Sequence, residues 1–161
     1  MASLVYFLIK GEMRMKSSEL WEKFITKYPA KAHCPHDAWA FGAQPTKLAQ
    51  LVCQGKKTAT TSGYLFYELD NEALPQVGEY NIILDENEQA VCITQTTKVY
   101  QTTFAKVDAR HARLEGEGDL SLAYWRKVHQ DFFTQELAEL GEEFSPEFEV
   151  ICEEFTVVYV A

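Results

Sequence analysis

Residues 55–63 read GKKTATTSG, which places two lysines and four hydroxyl side chains in nine positions. The stretch invites comparison with a phosphate-binding loop. Such a loop needs a glycine five residues ahead of its second glycine, and a Ser or Thr directly after its lysine, so that backbone amides wrap the phosphates. Here Gln50 stands at the first glycine position and Lys57 stands where the hydroxyl is required. The stretch also follows a predicted helix, whereas a phosphate loop precedes one. The nucleotide-triphosphatase reading is excluded.

That upstream helix starts near Pro45, a favoured first-turn residue, and turns Leu48, Leu51 and Val52 inward. Gly55 is its expected C-cap, because glycine accepts the left-handed conformation there. Lys56 and Lys57 then complement the negative end of the helix dipole. By spacing alone, the segment is a solvated helix end running into a threonine-rich strand. One feature points further: Thr58, Thr60, Thr61 and Ser62 sit beside two amines. A lysine that is desolvated, or close to another cation, gives up its proton more readily. It can then activate a hydroxyl, or hold a phosphate or carbonyl oxygen.

Upstream, Ser17, Ser18 and Glu19 signal a helix start. Leu20, Trp21, Phe24, Ile25 and Tyr28 form its apolar stripe, and Pro29 ends it. The segment 29–42, PAKAHCPHDAWAFG, is expected to be a loop. Downstream, GYLFYEL (63–69), EYNIILD (79–85), AVCITQTTKVYQTTF (90–104) and FEVICEEFTVVYV (148–160) are β-prone runs bounded by turn residues. LPQVGE and DENEQ are the turns between them. Four or five strands at short spacing predict a small curled sheet or barrel. A short helix is expected over 104–114, and a longer one over 120–140. In the longer helix Leu122, Trp125, Val128, Phe132 and Phe133 form the buried face, Asp119 is the cap and Gly141 the terminator.

A chain of 161 residues suits one domain with one sizeable core, here 17–161 behind an N-terminal extension, 1–16. Hydrophobic residues make up 47% of the chain and its formal net charge is -9. It should therefore fold, and it should bind long nucleic acid poorly, because phosphate repels a net-negative surface. Cys34, Cys53, Cys92 and Cys152 form no C-x-x-C pair, which fits reduced thiols and a cytoplasmic location. LVYFLIK, at residues 4–10, lacks a basic lead and is a poor secretory signal. No apolar run is long enough to span a bilayer.

Three further groups carry candidate chemistry. Glu115, Glu117 and Asp119 place three carboxylates around two glycines, suited to general acid–base work or a hard cation. His33, Cys34 and His36 form a metal-like fragment, but zinc needs about four ligands and no second cluster exists; His111 and His129 are isolated. Tyr64, Phe66 and Tyr67 can stack on a base, although strand aromatics are more often core.

The ordered segments WAFG, LAQLVCQGKKTAT, LPQVGEYNIILD, TKVYQTTFAKVDARHARLEGEGDLSLAYWRKVHQDFF and VICEEFTVVY resemble the bacterial ASCH-domain family over residues 38–160. The resemblance implies an α+β, PUA-like fold: a small β-barrel flanked by helices, related to RNA-binding modules. Gly55, Lys57 and Thr60 match the family signature G-x-K-x-x-T. In short members that deacetylate acetylated cytidine, a Lys, a Thr three residues on and a later Glu are catalytic. The corresponding positions are Lys57, Thr60 and Glu115. Those members carry an Arg soon after the Thr; here Thr61, Ser62 and Gly63 follow.

The resemblance implies an RNA- or nucleoside-recognising protein, with hydrolysis of a modified nucleoside as the preferred activity and no cofactor. Lys57 would activate the Thr60 hydroxyl, and Glu115 would shuttle the proton. Lys56, Thr58, Tyr67, Glu117, Ser121, Trp125 and Arg126 are the candidate substrate contacts. One alternative is a non-catalytic module that binds single-stranded RNA along Lys56, Lys57, Lys98, Arg110 and Arg126. Another is a ribonuclease with a divalent ion at the acidic loop. In a straight strand Lys57 and Thr60 face opposite sides, so they converge only if Lys57 belongs to the preceding turn or a bulge intervenes.

Overall fold

Five strands form one sheet: β1 (His36–Ala40), β2 (Ala59–Gly63), β3 (Tyr80–Leu84), β4 (Ala90–Thr103) and β5 (Glu149–Val160). They belong to a computed structural model that describes residues 14–161; the extension expected at 1–16 lies almost wholly outside the described residues. The strand order is β1-β3-β4-β5-β2. Neighbours are antiparallel, except that β1 runs parallel to β3. The β4–β5 ladder shifts register at Ile93/Thr94 and again at Thr96/Lys98. Such irregularities bend a strand and tighten its twist, and the sheet curls into a half-barrel. It does not close. β1 and β2 are its edges, and a cleft opens between them that both strands line.

Among the described residues, five α-helices cover the sheet: α1 (Ser17–Lys27), α2 (Pro45–Cys53), α3 (Tyr64–Asp70), α4 (Ala109–Glu115) and α5 (Leu122–Glu139). The architecture is the α+β arrangement expected. Helix α1 packs Leu20, Trp21 and Phe24 on Tyr80, Ile82 and Ile93. Helix α2 packs Leu48, Ala49 and Val52 on Ile83, Cys92 and Phe155. Helix α5 places Trp125 and Phe133 with Phe104, Val107, Val150 and Cys152. All four cysteines are free thiols. Among the described residues, no helix is long and apolar enough to cross a membrane.

Several expected elements change. GYLFYEL is a helix, not a strand: β2 ends at Gly63 and α3 begins at Tyr64. A Cβ at Gly63 would lie 2.6 Å from Phe66 and 2.7 Å from Phe148. The chain therefore turns tightly there, and Phe66 packs on Phe148 from the first turn of the helix. A short apolar run has no periodicity that separates the two outcomes. The expected loop 29–42 contains a 3-10 turn at Pro29–Lys31 and the edge strand β1, whose backbone groups pair with β3. Phe104–Lys106 is a separate 3-10 turn. Helix α4 starts later because Asp108 Oδ1 accepts the His111 N–H at 2.8 Å. Ser121, not Asp119, caps α5, its Oγ accepting the Tyr124 N–H at 3.0 Å. Leu120, with φ of 66°, lies outside the helix.

Helix α1 is part of the core, since Leu20 is fully buried against the sheet. Leu20→Ala should cost about 3 kcal/mol in urea unfolding, the range for a deleted core leucine. A loss under about 1 kcal/mol, far below that range, would make α1 an appendage.

Candidate functional site

The helix α2 ends at a left-handed Gly55 with φ of 70°. Its last turn is closed by the Lys56 and Lys57 N–H groups, which both donate to the Leu51 carbonyl, at 2.9 and 3.1 Å. Lys57 thus belongs to the turn before β2, which frees its side chain from strand alternation and lets it point inward. A second segment locks on from the other side. The Thr58 N–H donates to the Leu114 carbonyl at 2.7 Å. Gly116, also left-handed, comes so close that a Cβ there would lie 2.1 Å from the Lys56 carbonyl oxygen. This backbone contact carries the end of α4 to the lysine turn.

Lys57 is 1% exposed. Its ammonium donates to Glu115 Oε2 at 3.2 Å, to Glu117 Oε2 at 2.9 Å and to the Glu115 carbonyl at 3.4 Å. It also sits 5.3 Å from the centroid of the Phe41 ring. Glu115 gathers further partners. Its Oε1 accepts from Thr61 Oγ1 at 2.5 Å and Trp125 Nε1 at 2.8 Å, and lies 3.0 Å from His111 Nε2. Its Oε2 lies 3.3 Å from His129 Nε2. His111 and Glu115 are four apart on α4, and Trp125 and His129 four apart on α5, so each pair shares a helix face. The Trp125 and His129 rings stack at 4.2 Å.

Burial by itself would push the Glu115 carboxyl up, but Lys57, His129 and His111 hold it well below the ordinary carboxylate value. Burial opposes charge on His111 as well. Hydrogen bonds to Cys152 and Glu115 outweigh that and raise it from 6.5 to about 9. The cluster is therefore a buried carboxylate surrounded by donors and cations.

One wall of the cleft is this cluster. The cavity has a volume of about 1040 Å³. Among the described residues, eight Asp or Glu line it, against a single lysine and no arginine, so its field disfavours phosphate.

The expected site residues fall in several places. Lys57, Glu115 and Glu117 converge. Thr60 lines the cavity but makes no side-chain hydrogen bond among the described residues, whereas its neighbour Thr61 bonds Glu115 and His111. Tyr67 lines the cavity with its hydroxyl 2.8 Å from Ser62 Oγ. Thr58 Oγ1 donates to the Leu114 carbonyl at 3.3 Å. Trp125, 3% exposed, lies beneath Glu115 and does not line the cavity. Lys56 and Arg126 are exposed outside it, and Ser121 is a helix cap. Arg110 and Lys98 are both paired with Glu154. His36 stacks on Trp21 at 3.8 Å, and among the described residues no group of three or more His, Cys, Asp or Glu is placed to hold a metal ion. Thr61, His111, His129 and Glu153 were not anticipated in the site. The four-residue spacings on α4 and α5 are the signal that could have found the two histidines.

Comparisons place this geometry among known proteins. The model of the ASCH domain matches residues 37–159. An ASCH domain from Lactobacillus crispatus JV V101 is 30% identical, with a TM-score of 0.84, over 92% of this chain and 98% of that one. Protein EF3133 from Enterococcus faecalis V583 is 35% identical, with a TM-score of 0.78, over 88% of this chain and 86% of that one. Hypothetical protein PH0355 shares the fold at 15% identity and a TM-score of 0.50, over 77% of this chain and all of that one. No curated protein matches.

Because the folded value for His111 lies above its ordinary 6.5, its contribution to stability is complete below that pH and is lost as pH rises through about 9. The urea midpoint of the wild type should therefore fall across this interval, and His111→Gln should flatten the fall. An equal fall in both proteins would mean that His111 is not the titrating group.

Proposed function

The chain belongs to the ASCH-domain family, and from that premise we propose that it recognises a nucleoside in the cleft and hydrolyses an amide on it, acetylated cytidine being the substrate to try. The observation that carries this reading is the buried Lys57 ammonium held between Glu115 and Glu117 at the wall of a cavity that Thr60 also lines. The volume is at the upper end of the range usual for small-molecule sites. The acidic lining favours a small uncharged nucleoside over a polyphosphate chain.

Within this reading, the two threonines divide the work. The Thr61 proton is committed to Glu115, so this side chain positions the carboxylate. The Thr60 hydroxyl, with no side-chain hydrogen bond among the described residues, is the nucleophile. Lys57, paired with two carboxylates, acts as an ammonium that stabilises the oxyanion formed when Thr60 Oγ1 attacks the amide carbon. A carboxylate at Lys57, Glu115 or Glu117, takes the Thr60 proton and delivers it to the departing amine as the C–N bond breaks. Water then hydrolyses the threonyl ester, releasing the carboxylic acid and restoring Thr60.

Two other readings are less well supported. RNA binding along Lys98 and Arg110 has to compete with their pairing to Glu154. A divalent-ion ribonuclease requires an ion at the acidic loop, where Glu115 and Glu117 already engage Lys57.

Incubation with acetylated cytidine should release cytidine whether or not a chelator is present. Lys57→Ala, Glu115→Gln and Thr60→Val should each lower the rate about 100-fold or more, with folding checked by melting. Chelator-sensitive RNA fragments would point to the nuclease. Absence of cytidine release would end the hydrolase reading.

A further inference from the structure

A second buried carboxylate lines the same cleft. Glu153 sits in the middle of β5, opposite Thr60 on β2 and Val99 on β4. It is 7% exposed and lines the cavity. Unlike Glu115, it has no ion-pair partner among the described residues.

A directed chain of hydrogen bonds holds one of its oxygens. The Trp39 indole N–H, which can only donate, donates to Asn81 Oδ1 at 2.9 Å. That fixes the amide orientation, so Asn81 Nδ2 donates to Thr96 Oγ1 at 3.5 Å. The Thr96 hydroxyl must then donate onward, to Glu153 Oε1 at 2.6 Å. The other oxygen, Oε2, has no protein partner among the described residues. Nor is it sealed in: Thr103 Oγ1 is the one fully buried side-chain polar atom among them that lacks a partner. Glu153 Oε2 is therefore reached from the cavity. Burial and the nearby Glu79 make ionisation of Glu153 harder, against the help of Thr96. With Oε1 held by Thr96, Oε2 is left to accept a hydrogen bond from a ligand donor in the cavity.

We propose that Glu153 is the recognition residue of the cleft, its Oε2 accepting a hydrogen bond from an N–H or O–H donor on an uncharged, nucleoside-sized ligand. This rests on the nucleoside reading above and sets the recognition residue beside Thr60, its partner across β2 and β5. The Ser62 and Tyr67 hydroxyls, bonded to each other at 2.8 Å, line the same cavity and supply further polar contacts. A ligand phosphate is disfavoured beside Glu153, which has no ion-pair partner among the described residues and has Glu79 nearby.

Glu153→Gln is the informative variant. Because Thr96 donates, the glutamine carbonyl takes the Oε1 position and its NH2 group faces the cavity, opposing a ligand donor. Calorimetric titrations of wild type and variant with acetylated cytidine, cytidine, free cytosine and cytidine monophosphate read the effect directly. The wild type should bind the nucleosides more tightly than the monophosphate. The variant should melt like the wild type and bind the nucleosides about tenfold or more weakly. The same loss with free cytosine places the donor on the base; a loss confined to nucleosides places it on the sugar. Thr96→Val, which keeps the carboxylate, should weaken binding by a smaller factor. Equal affinity in wild type and Glu153→Gln, or no binding of any of these compounds by the wild type, overturns the proposal. Cytidine release with an unchanged KM in Glu153→Gln would also overturn it while leaving the hydrolase reading intact. Glu153-dependent binding without cytidine release would support it and end the hydrolase reading.

Discussion

The structure is organised around a buried ion pair, Lys57 with Glu115, each at most 2% exposed at the side chain. A charge removed from water is tolerated only when it is paired and its remaining hydrogen-bonding positions are filled. Glu115 meets that condition by drawing on four segments: the turn after α2 for Lys57, strand β2 for Thr61, helix α4 for His111, and helix α5 for Trp125 and His129. Removing one partner from such a pair is commonly worth about 3–5 kcal/mol. The same contacts that hold this buried carboxylate therefore also tie the helices to the edge of the sheet. The close approach of Gly116 to the Lys56 carbonyl is the backbone condition for it.

The open seam follows from the same arrangement. The sheet curls but leaves β1 and β2 unpaired with each other, and the cleft occupies the gap. Its two buried carboxylates differ in electrostatics. A lysine offsets Glu115, whereas Glu153 is bonded by the Thr96 hydroxyl and feels the nearby Glu79. A cavity of this sign suits a small ligand rich in hydrogen-bond donors. It also accords with a chain whose net charge of -9 is unfavourable for long nucleic acid.

Much of this was legible from residue order alone. The Gly55 cap, and hence the rejection of a phosphate loop, depended on local chemistry, as did strands β3 to β5, whose apolar runs are bracketed by turn residues. The meeting of Lys57 with Glu115 was not local. It came from the resemblance carried by the motif, because nothing in the spacing brings together residues 58 apart. Thr61 was obscured because hydrogen bonding to a distant carboxylate leaves no periodic trace, and the four-residue spacings of His111 and His129 gain meaning only once α4 and α5 are known to meet at Glu115. Strand β1 and helix α3 were misassigned for a related reason. An edge strand is defined by the partner it finds, and the aromatic run after Gly63 is decided by packing on Phe148 rather than by its own propensity.

The central claim is that Glu115 is an ionised carboxylate held among cations in the protein interior. Carbon-13 NMR of the protein with labelled glutamate side chains, titrated with acid and assigned through Glu115→Gln, measures this directly. The account predicts that the Glu115 carboxyl signal stays in its ionised position well below the ordinary value of 4.5. Protonation at or above that value would contradict it, because Lys57, His129 and His111 would then not outweigh the cost of burying the charge.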